Sequence, residues 1–346
     1  MKDKKKLFRN LAFFMILIGV TFYILLKDQD FFQMWEILKS VKIQYVLIGI
    51  VCILLYVVCE AINIGRTLKS LNEKSNFLRN LKYAFIGFFF SSITPAASGG
   101  QPMQIYYMHK DKISISNSTL ALLINLSSMQ VITISFALIS LIFNYQYMNS
   151  VLITFFIIGI LLNLSALILL LVGILSKRAT KAIINFALKV MKFFKVKNIE
   201  SKKEKLEKEL TKYQDNAVYV KNNKWLIAKT IFTTLIQFTI YYSITYWTYR
   251  ALGFSEHNIM QIITMQSVLF ATVSGIPSPG AVGVTEGAFM EIFRNVYPEK
   301  MMRSAVLLNR GINFYFLVLV SCAVTAVSYV RSGKGKDEEV EKVEKV

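Results

Sequence analysis

Two charged residues, Glu286 and Arg310, lie within apolar sequence, where ionic side chains are rare. Arg310 is inside the last apolar run, between Asn309 and Asn313. An arginine near the centre of a bilayer costs at least about 2.5–3.5 kcal/mol, so it is usually paired or functional. We expect the two side chains to meet, and two interpretations stay open. They form a structural ion pair, or Arg310 binds a phosphate while Glu286 binds a cationic amine.

The first of two Pro/Gly-rich stretches, TPAASGGQP, ends a half-length apolar helix. Pro95 stops the helix at Thr94, because a residue before proline is driven out of the helical region. Gly99 and Gly100 allow a turn and the close approach of other groups. Pro102 suits the first turn of a new helix, whose N–H groups and positive dipole end favour an anion such as a phosphate.

The second stretch, PSPGAVGVTEG, ends the half-length apolar helix predicted over Ile259–Val273. Irregular backbone at membrane depth is tolerated only where it is buried in protein or lines a water-filled cavity. A single break is most simply a kinked helix, whereas two breaks in matching positions favour a cavity or pathway. The predicted binding residues, which belong to the two breaks or to the ion pair, are Thr94, Pro95, Gly99, Gly100, Gln101, Pro102, Pro277, Pro279, Gly280, Gly283, Glu286 and Arg310.

Long apolar runs must position these residues, and they indicate a helical membrane protein. The chain has 346 residues, of which 54% are hydrophobic, and a run of about 20 apolar residues crosses a bilayer as a helix. We predict an all-α polytopic membrane protein with about six full spans and two broken, re-entrant helices. The predicted spans are Leu7–Leu26, Tyr45–Ile64, Thr119–Phe143, Val151–Leu175, Trp225–Tyr249 and Met301–Val330.

The formal net charge of +19 is concentrated in loops between the predicted spans. This pattern is typical of positive-inside topology and of attraction to anionic headgroups, and it does not require a nucleic-acid partner. The rule places residues 1–10, 65–82, 176–224 and the C-terminus in the cytoplasm. All three cysteines fall within predicted spans, which argues against a disulfide framework or a zinc site. We expect no metal and no cofactor.

This orientation makes two segments begin and end on the same side of the membrane. Residues 83–118 must do so on the cytoplasmic side, and residues 258–300 must do so on the outer side. Pro95 and Pro277 are as far apart in the chain as the predicted span starts Thr119 and Met301. Two matching units that enter the membrane from opposite sides form an inverted repeat, and interrupted helices in matching positions indicate a transporter's binding site.

The predicted domain organisation is an integral membrane domain over 1–330 and a charged cytoplasmic tail over 331–346. The halves of the membrane domain cover about 7–143 and 151–330, and the basic cytoplasmic segment 176–224 joins its parts. The sequence KRATKAIINFALKVMKFF predicts an amphipathic helix lying on the inner leaflet. The following KKEKLEKEL predicts a solvated charged helix.

These motifs resemble a known family. TPAASGGQP, PSPGAVGVTEGAF and Arg66 in NIGRTLKSL are similar to the transmembrane family of lysylphosphatidylglycerol synthases. This is the membrane region of the multiple peptide resistance factor, and the resemblance is to its stand-alone form without the synthase domain. The family commonly has Glu after the GG pair and a basic residue three positions later, where this chain has Gln101 and Gln104. Glu286 and Arg310 fit the family's second-half pattern.

The resemblance implies a lipid flippase of the cell membrane, with aminoacylated phosphatidylglycerol as the notable substrate. The family name implies an alternative, a phosphatidylglycerol lysyltransferase that uses lysyl-tRNA. Segment 176–224 is the longest non-membrane segment, and it has neither a glycine-rich loop nor a nucleophile–base pair, so we expect no catalytic residues. A third hypothesis is a non-transporting membrane partner of a separate synthase.

The expected partners are membrane phospholipids, either anionic or aminoacylated. A separate lipid synthase and an oligomer are left open, and no nucleic acid is expected. The expected location is the cell membrane, with many spans and with both termini in the cytoplasm.

Overall fold

The computed structural model describes Glu36 and residues 39–144, 150–193, 199–276 and 279–343. The predicted span Leu7–Leu26 and the predicted site residue Pro277 lie outside the described residues. The described part is mostly helical and contains no strand. The prediction of an all-α membrane protein is therefore confirmed.

The helices are named here in chain order. They are α1 (Ile43–Ser70), α2 (Phe77–Ser92), α3 (Gly100–Lys110), α4 (Ile115–Asn144), α5 (Ser150–Leu175), α6 (Lys177–Phe193), α7 (Ile199–Asn222), α8 (Lys224–Ala251), α9 (Ile259–Val273), α10 (Val284–Ile292), α11 (Glu299–Arg310) and α12 (Phe316–Val343). Short 3₁₀ turns at Pro95–Ala97 and Pro279–Ala281 separate α2 from α3 and α9 from α10. A π-helical stretch, Gly311–Tyr315, joins α11 to α12.

Four stretches of the described chain are long and apolar enough to cross a membrane. They are Ile43–Ser70, Ile115–Phe143, Leu152–Leu175 and Glu299–Val330, and each contains or closely matches a predicted span. The 28-residue helix α8 has the length of a span but is too polar to be counted with these four. Its polar side chains, such as Thr230, Thr234 and Gln237, are buried because α8 packs against α1, α4 and α9.

Helix α1 shows how a membrane bundle distributes apolar side chains. Ile53 and Ile64 on its inner face are 0% exposed. Ile53 packs with residues of α2 and α8, and Ile64 packs with residues of α2 and α3. On its outer face, Leu47 and Val51 are both 54% exposed. A soluble helix places polar residues on its exposed face, whereas the exposed face of α1 is apolar and suits contact with lipid tails.

The same order of elements occurs twice along the chain. A long helix, a short helix, a 3₁₀ turn, another short helix and a further long helix occur first as α1 to α4. They occur again as α8 to α11, where the last helix continues through the π-helical stretch into α12. The two interrupted helices therefore occupy matching positions in the order of elements.

The basic segment 176–224 forms helices α6 and α7. The Lys- and Glu-rich first turns of α7 are exposed at Lys203 and Glu204. Its later turns pack on the bundle, since Tyr213 and Ala217 are buried and the Tyr213 hydroxyl donates to the Gly173 carbonyl oxygen over 2.7 Å. The predicted solvated helix, Lys202–Leu210, corresponds to the first turns of α7, and the packing of the later turns was not predicted. The predicted tail is helical as far as Val343, where α12 ends.

Candidate functional site

The first break lies between α2 and α3, and the Thr94 side chain holds it together. The Thr94 hydroxyl donates to the Phe90 carbonyl oxygen over 2.6 Å and accepts from the Gly99 N–H over 2.9 Å. These bonds satisfy backbone groups that the break removes from the helical pattern. The left-handed position is Ala97, with φ of 53°, whereas Gly99 has φ of −84°.

The two glycines of the first break allow the close approach of other groups that we expected, whereas the left-handed residue of the turn is Ala97 and neither glycine. A Cβ atom at Gly99 would collide with the Thr94 side chain, and one at Gly100 would collide with the Ser91 hydroxyl. Gly99 precedes α3, and Pro102 lies in the first turn of that helix as predicted. The start of α3 therefore faces the break, where the N–H groups of a helix favour an anion.

The second break, between α9 and α10, does depend on glycines with positive φ. Gly280 has φ of 60° and Gly283 has φ of 86°, and Ala281 between them has φ of 50°. Residues with a Cβ atom rarely adopt this left-handed backbone conformation, whereas glycine adopts it at no steric cost. At Gly280 the ring of Phe314 occupies the space that a Cβ atom would need. Both the conformation and the packing thus require glycine at this position.

The predicted ion pair is present and buried. The Arg310 Nε atom donates to Glu286 Oε1 over 2.8 Å, and the two residues are only 6% and 2% exposed. Arg310 Nη2 also donates to the Gly280 carbonyl oxygen over 3.1 Å, and the guanidinium lies 4.1 Å from the centre of the Phe314 ring. The other carboxylate oxygen, Glu286 Oε2, accepts from the Gly283 N–H over 2.6 Å. This arrangement fastens the second break to the end of α11.

The two breaks contact each other. The turn Pro95–Ala97 contacts the turn Pro279–Ala281. Around them, Phe89 and Ile93 pack with Val282 and Phe314 in one buried cluster. Sequence reasoning related the two stretches only through their matching positions, whereas the structure shows direct contact between them.

The structure places the predicted site residues at these two breaks and their supports. In the first half, Thr94, Pro95 and Gly99 form the break, and Gly100, Gln101 and Pro102 lie in the first turn of α3. In the second half, Pro279 and Gly280 form the 3₁₀ turn, Gly283 precedes α10, Glu286 lies in the first turn of α10, and Arg310 ends α11.

Sequence reasoning missed the contact between Glu60 and Gln104. Gln104 is 2% exposed, and its Nε2 atom donates to Glu60 Oε1 over 3.3 Å and to the Tyr83 carbonyl oxygen over 3.2 Å. Its carboxamide lies against Gly87, where a Cβ atom would collide with it. A carboxylate inside the predicted span Tyr45–Ile64 was the signal that could have drawn attention to this contact.

Arg66 lies two turns after Glu60 on α1 and bonds to neutral partners. It donates to Asn63 Oδ1 over 3.0 Å, to the Lys229 carbonyl oxygen over 2.8 Å and to Thr233 Oγ1 over 2.9 Å. These bonds fasten the end of α1 to α8.

A separate cleft of about 970 Å³ lies between α7 and the loop after α1, and it shares no lining residue with the breaks. Glu73 in this loop accepts hydrogen bonds from Ser114, Asn117 and Lys212. Burial raises the pKa of Glu73, but these hydrogen bonds and the charge of Lys212 outweigh it, so the pKa lies below its ordinary value. Within the described residues, no group of three His, Cys, Asp or Glu side chains is arranged to hold a metal.

Residues 10–321 match the protein family described as the lysylphosphatidylglycerol synthase TM region. The chain belongs to this family. No curated protein matches it. Membership of the lysylphosphatidylglycerol synthase TM region family makes the chain a membrane protein with a lipid-related function, and every residue of the two breaks lies within the matched range.

Proposed function

We propose that the protein moves phospholipids between the leaflets of the cell membrane and that the lipid headgroup passes between the two helix breaks. The observation that supports this most directly is the contact between the turns Pro95–Ala97 and Pro279–Ala281. Irregular backbone in a membrane protein is tolerated where it is buried in protein or lines a water-filled cavity. Two such segments that meet in one place are therefore suited to form a single pathway through the bundle.

The repeated order of elements supports an inverted repeat. In the proposed topology, α2 and α3 enter from the cytoplasmic side, and α9 and α10 enter from the outer side. Transporters built on inverted repeats bind their substrates near the bilayer midplane, where interrupted helices meet. Charge in the loops supports this topology, because the basic segments all fall on one predicted side.

Membership of the family supports phosphatidylglycerol-type lipids as the substrate class, with aminoacylated phosphatidylglycerol as the proposed cargo. The site residues at the two breaks are proposed to contact the headgroup. The start of α3 supplies N–H groups that favour a phosphate. Arg310 supplies a buried cation beside the second break, although Glu286 already neutralises part of its charge.

Reconstitution into liposomes tests this function. Fluorescent phosphatidylglycerol labelled on the headgroup side is incorporated symmetrically, and dithionite is added outside to quench the outer leaflet. In protein-free liposomes about half of the signal should stay protected, whereas translocation should expose nearly all of it. A protected fraction that is the same with and without protein, for both plain and lysyl-phosphatidylglycerol, would contradict the proposal.

The family's description favours a second candidate function, as the membrane region that serves a lipid synthase. The cleft beside α7 offers a polar surface at which a partner could dock. Copurification of the coexpressed synthase, together with an absence of translocation in liposomes, would favour this candidate. Formation of lysyl-lipid by the purified chain, supplied with lysyl-tRNA and phosphatidylglycerol, would instead favour an enzyme.

A further inference from the structure

Glu60 lies on the inner face of α1 but is partly exposed. Ile53 and Ile64, which lie two turns before it and one turn after it on the same face, are 0% exposed. The lipid-facing side of α1 carries Leu55 and Ile62, which are 41% and 39% exposed. Both residues lie on the side of the helix opposite Glu60. The exposed surface of Glu60 therefore belongs to a crevice inside the bundle and not to the lipid-facing surface.

Glu60 has no Lys, Arg or His within ion-pair distance in the part of the chain that the structure describes. Its hydrogen bond comes from the neutral carboxamide of Gln104. This contrasts with Glu286, which has Arg310 as its partner and also accepts from the Gly283 N–H. An ionised carboxylate away from bulk water is costly unless a cation compensates it. The surroundings of Glu60 thus lack the cation that those of Glu286 contain.

A pair of partly exposed tyrosine rings, Tyr56 and Tyr241, begins one helical turn from Glu60. Tyr56 precedes it by one helical turn, and the Tyr56 ring packs against the Tyr241 ring with centroids 5.0 Å apart. The two rings therefore extend from a position one helical turn before Glu60 on α1 to the neighbouring helix α8. Aromatic faces attract organic cations through the ring quadrupole.

We propose that Glu60, with the rings of Tyr56 and Tyr241, binds the primary ammonium group of a phospholipid headgroup. The inference rests on the proposed transport function, and it assigns the amine contact to Glu60 instead of Glu286. Both oxygens of Glu286 already accept hydrogen bonds from Arg310 and Gly283, whereas among the described residues Glu60 accepts one hydrogen bond, from a neutral group. The ligand class is a headgroup that carries both a phosphate and a primary ammonium group.

Ligand-dependent thermal shifts of the purified protein in a non-ionic detergent test the proposal, because a ligand raises the melting temperature according to its dissociation constant. The probes are dihexanoyl-phosphatidylethanolamine, dihexanoyl-phosphatidylglycerol and chain-free glycerophosphoethanolamine. The native protein should bind the ethanolamine lipid about tenfold more tightly than the glycerol lipid. A charge-assisted hydrogen bond between the ammonium group and Glu60 contributes a free energy of about this size. The chain-free headgroup should bind more weakly than the ethanolamine lipid.

Glu60→Gln keeps the shape and the bond to Gln104 but removes the charge. This variant should lose the tenfold preference while binding dihexanoyl-phosphatidylglycerol as the native protein does. Glu73→Gln is the matched control, since it removes a partly buried carboxylate outside the bundle and should keep the preference. Tyr56→Leu provides a second variant, which keeps the carboxylate and should reduce the preference.

A preference that persists in Glu60→Gln, or in Tyr56→Leu if the first variant does not fold, would overturn the proposal. Equal binding of the two lipids by the native protein would also overturn it, and this is the result expected if Glu60 stays protonated. Binding of the chain-free headgroup as tight as that of the ethanolamine lipid would refute the assignment to a lipid. Selective binding through Glu60 without any translocation in liposomes would contradict the transport function and leave this inference standing.

Discussion

Gly280 shows at the scale of a single residue why the second break tolerates so little change. Its backbone lies in the left-handed region at φ of 60°, and the Phe314 ring fills the position of a missing Cβ atom. The same ring lies below the guanidinium of Arg310 and contacts the apolar cluster between the two breaks. A methyl group at Gly280 would therefore displace a side chain that three parts of the site share.

Gly280→Ala is expected to abolish translocation and to destabilise the protein more than Gly253→Ala does. Gly253 also has a positive φ, of 94°, but nothing lies within 4 Å of its Cβ position. Both variants bear a backbone cost of about 1–2 kcal/mol, and the collision with Phe314 adds about 1–3 kcal/mol to Gly280→Ala alone. Thermal unfolding and the dithionite assay measure the two effects, and equal behaviour of the two alanine variants would contradict this prediction.

Removing one partner of the Glu286–Arg310 pair should destabilise the protein by about 3–5 kcal/mol, because the other charge stays buried without compensation. Glu286→Gln combined with Arg310→Gln should recover much of this loss, since neither charge then remains. We expect the double variant to fold but to translocate lipid poorly, because it lacks the cation beside the second break.

Thermal stability and dithionite accessibility of the single and double variants separate the two roles. Normal translocation by the double variant would show that the pair has only a structural role, which is to hold α10 against α11. In that case the phosphate site would have to be sought at Gln101 and the start of α3.

At the scale of helices, local signals in the sequence predicted both breaks. Pro95 marks the end of α2, Pro102 lies in the first turn of α3, and the Pro/Gly pattern after Val273 ends α9. These features depend on backbone preferences of neighbouring residues, so they can be read without tertiary information. The charged pair was also predictable, because two opposite charges in apolar sequence have few other ways to be compensated.

Contacts between distant elements were beyond sequence reasoning. Gln104 meets Glu60 only because α3 folds back along α2, and Gly87 leaves the space for its carboxamide. The docking of α7 through Tyr213 and Ala217 was missed because the first turns of that helix are charged and dominate its composition. Such contacts depend on how helices pack and not on the preferences of any one segment.

The attachment of the loop after α1 gives a prediction for pH. Glu73 has a pKa below its ordinary value in the folded protein. Its hydrogen bonds therefore contribute fully to stability above the ordinary pKa of about 4.3, and this contribution is lost as the pH falls through the lower pKa of the folded protein. Glu73→Gln should therefore lower stability by about 1–3 kcal/mol at pH 7.

The difference between the native protein and Glu73→Gln should shrink as the pH falls below the ordinary glutamate pKa of about 4.3 and through the lower pKa that Glu73 has in the folded protein, because the native carboxyl group then also becomes protonated. Unfolding by denaturant in detergent at several pH values measures it. If the stability difference between the two proteins does not depend on pH, the substitution acts through packing and not through loss of the hydrogen bonds to the carboxylate.

At the scale of the whole molecule, the two halves share an order of elements but not a composition. In the second half the break carries a compensated carboxylate, Glu286, whereas in the first half the carboxylate that bonds to Gln104 of α3 is Glu60 on α1. This difference suits a protein whose two halves contact different parts of one headgroup.

The proposed inverted repeat predicts accessibility from opposite sides of the membrane. Single cysteines at Ser98 and Ala281, introduced into a background in which Cys52, Cys59 and Cys322 are replaced, should react with membrane-impermeant reagents from the inside and the outside, respectively. Ser98 is exposed and Ala281 is partly exposed, so both positions are within reach of a reagent. Labelling of both cysteines from one side in oriented vesicles would contradict the inverted repeat.

The polar composition of α8 has a consequence for how the chain enters the membrane during synthesis. A helix rich in Thr and Tyr gains little by leaving the translocation channel for lipid alone. Its long packing partner α1 is made much earlier and must already be in place to shield those side chains. We therefore expect α8 to insert stably only after α1 has been inserted, so that the first half of the chain assists the insertion of the second.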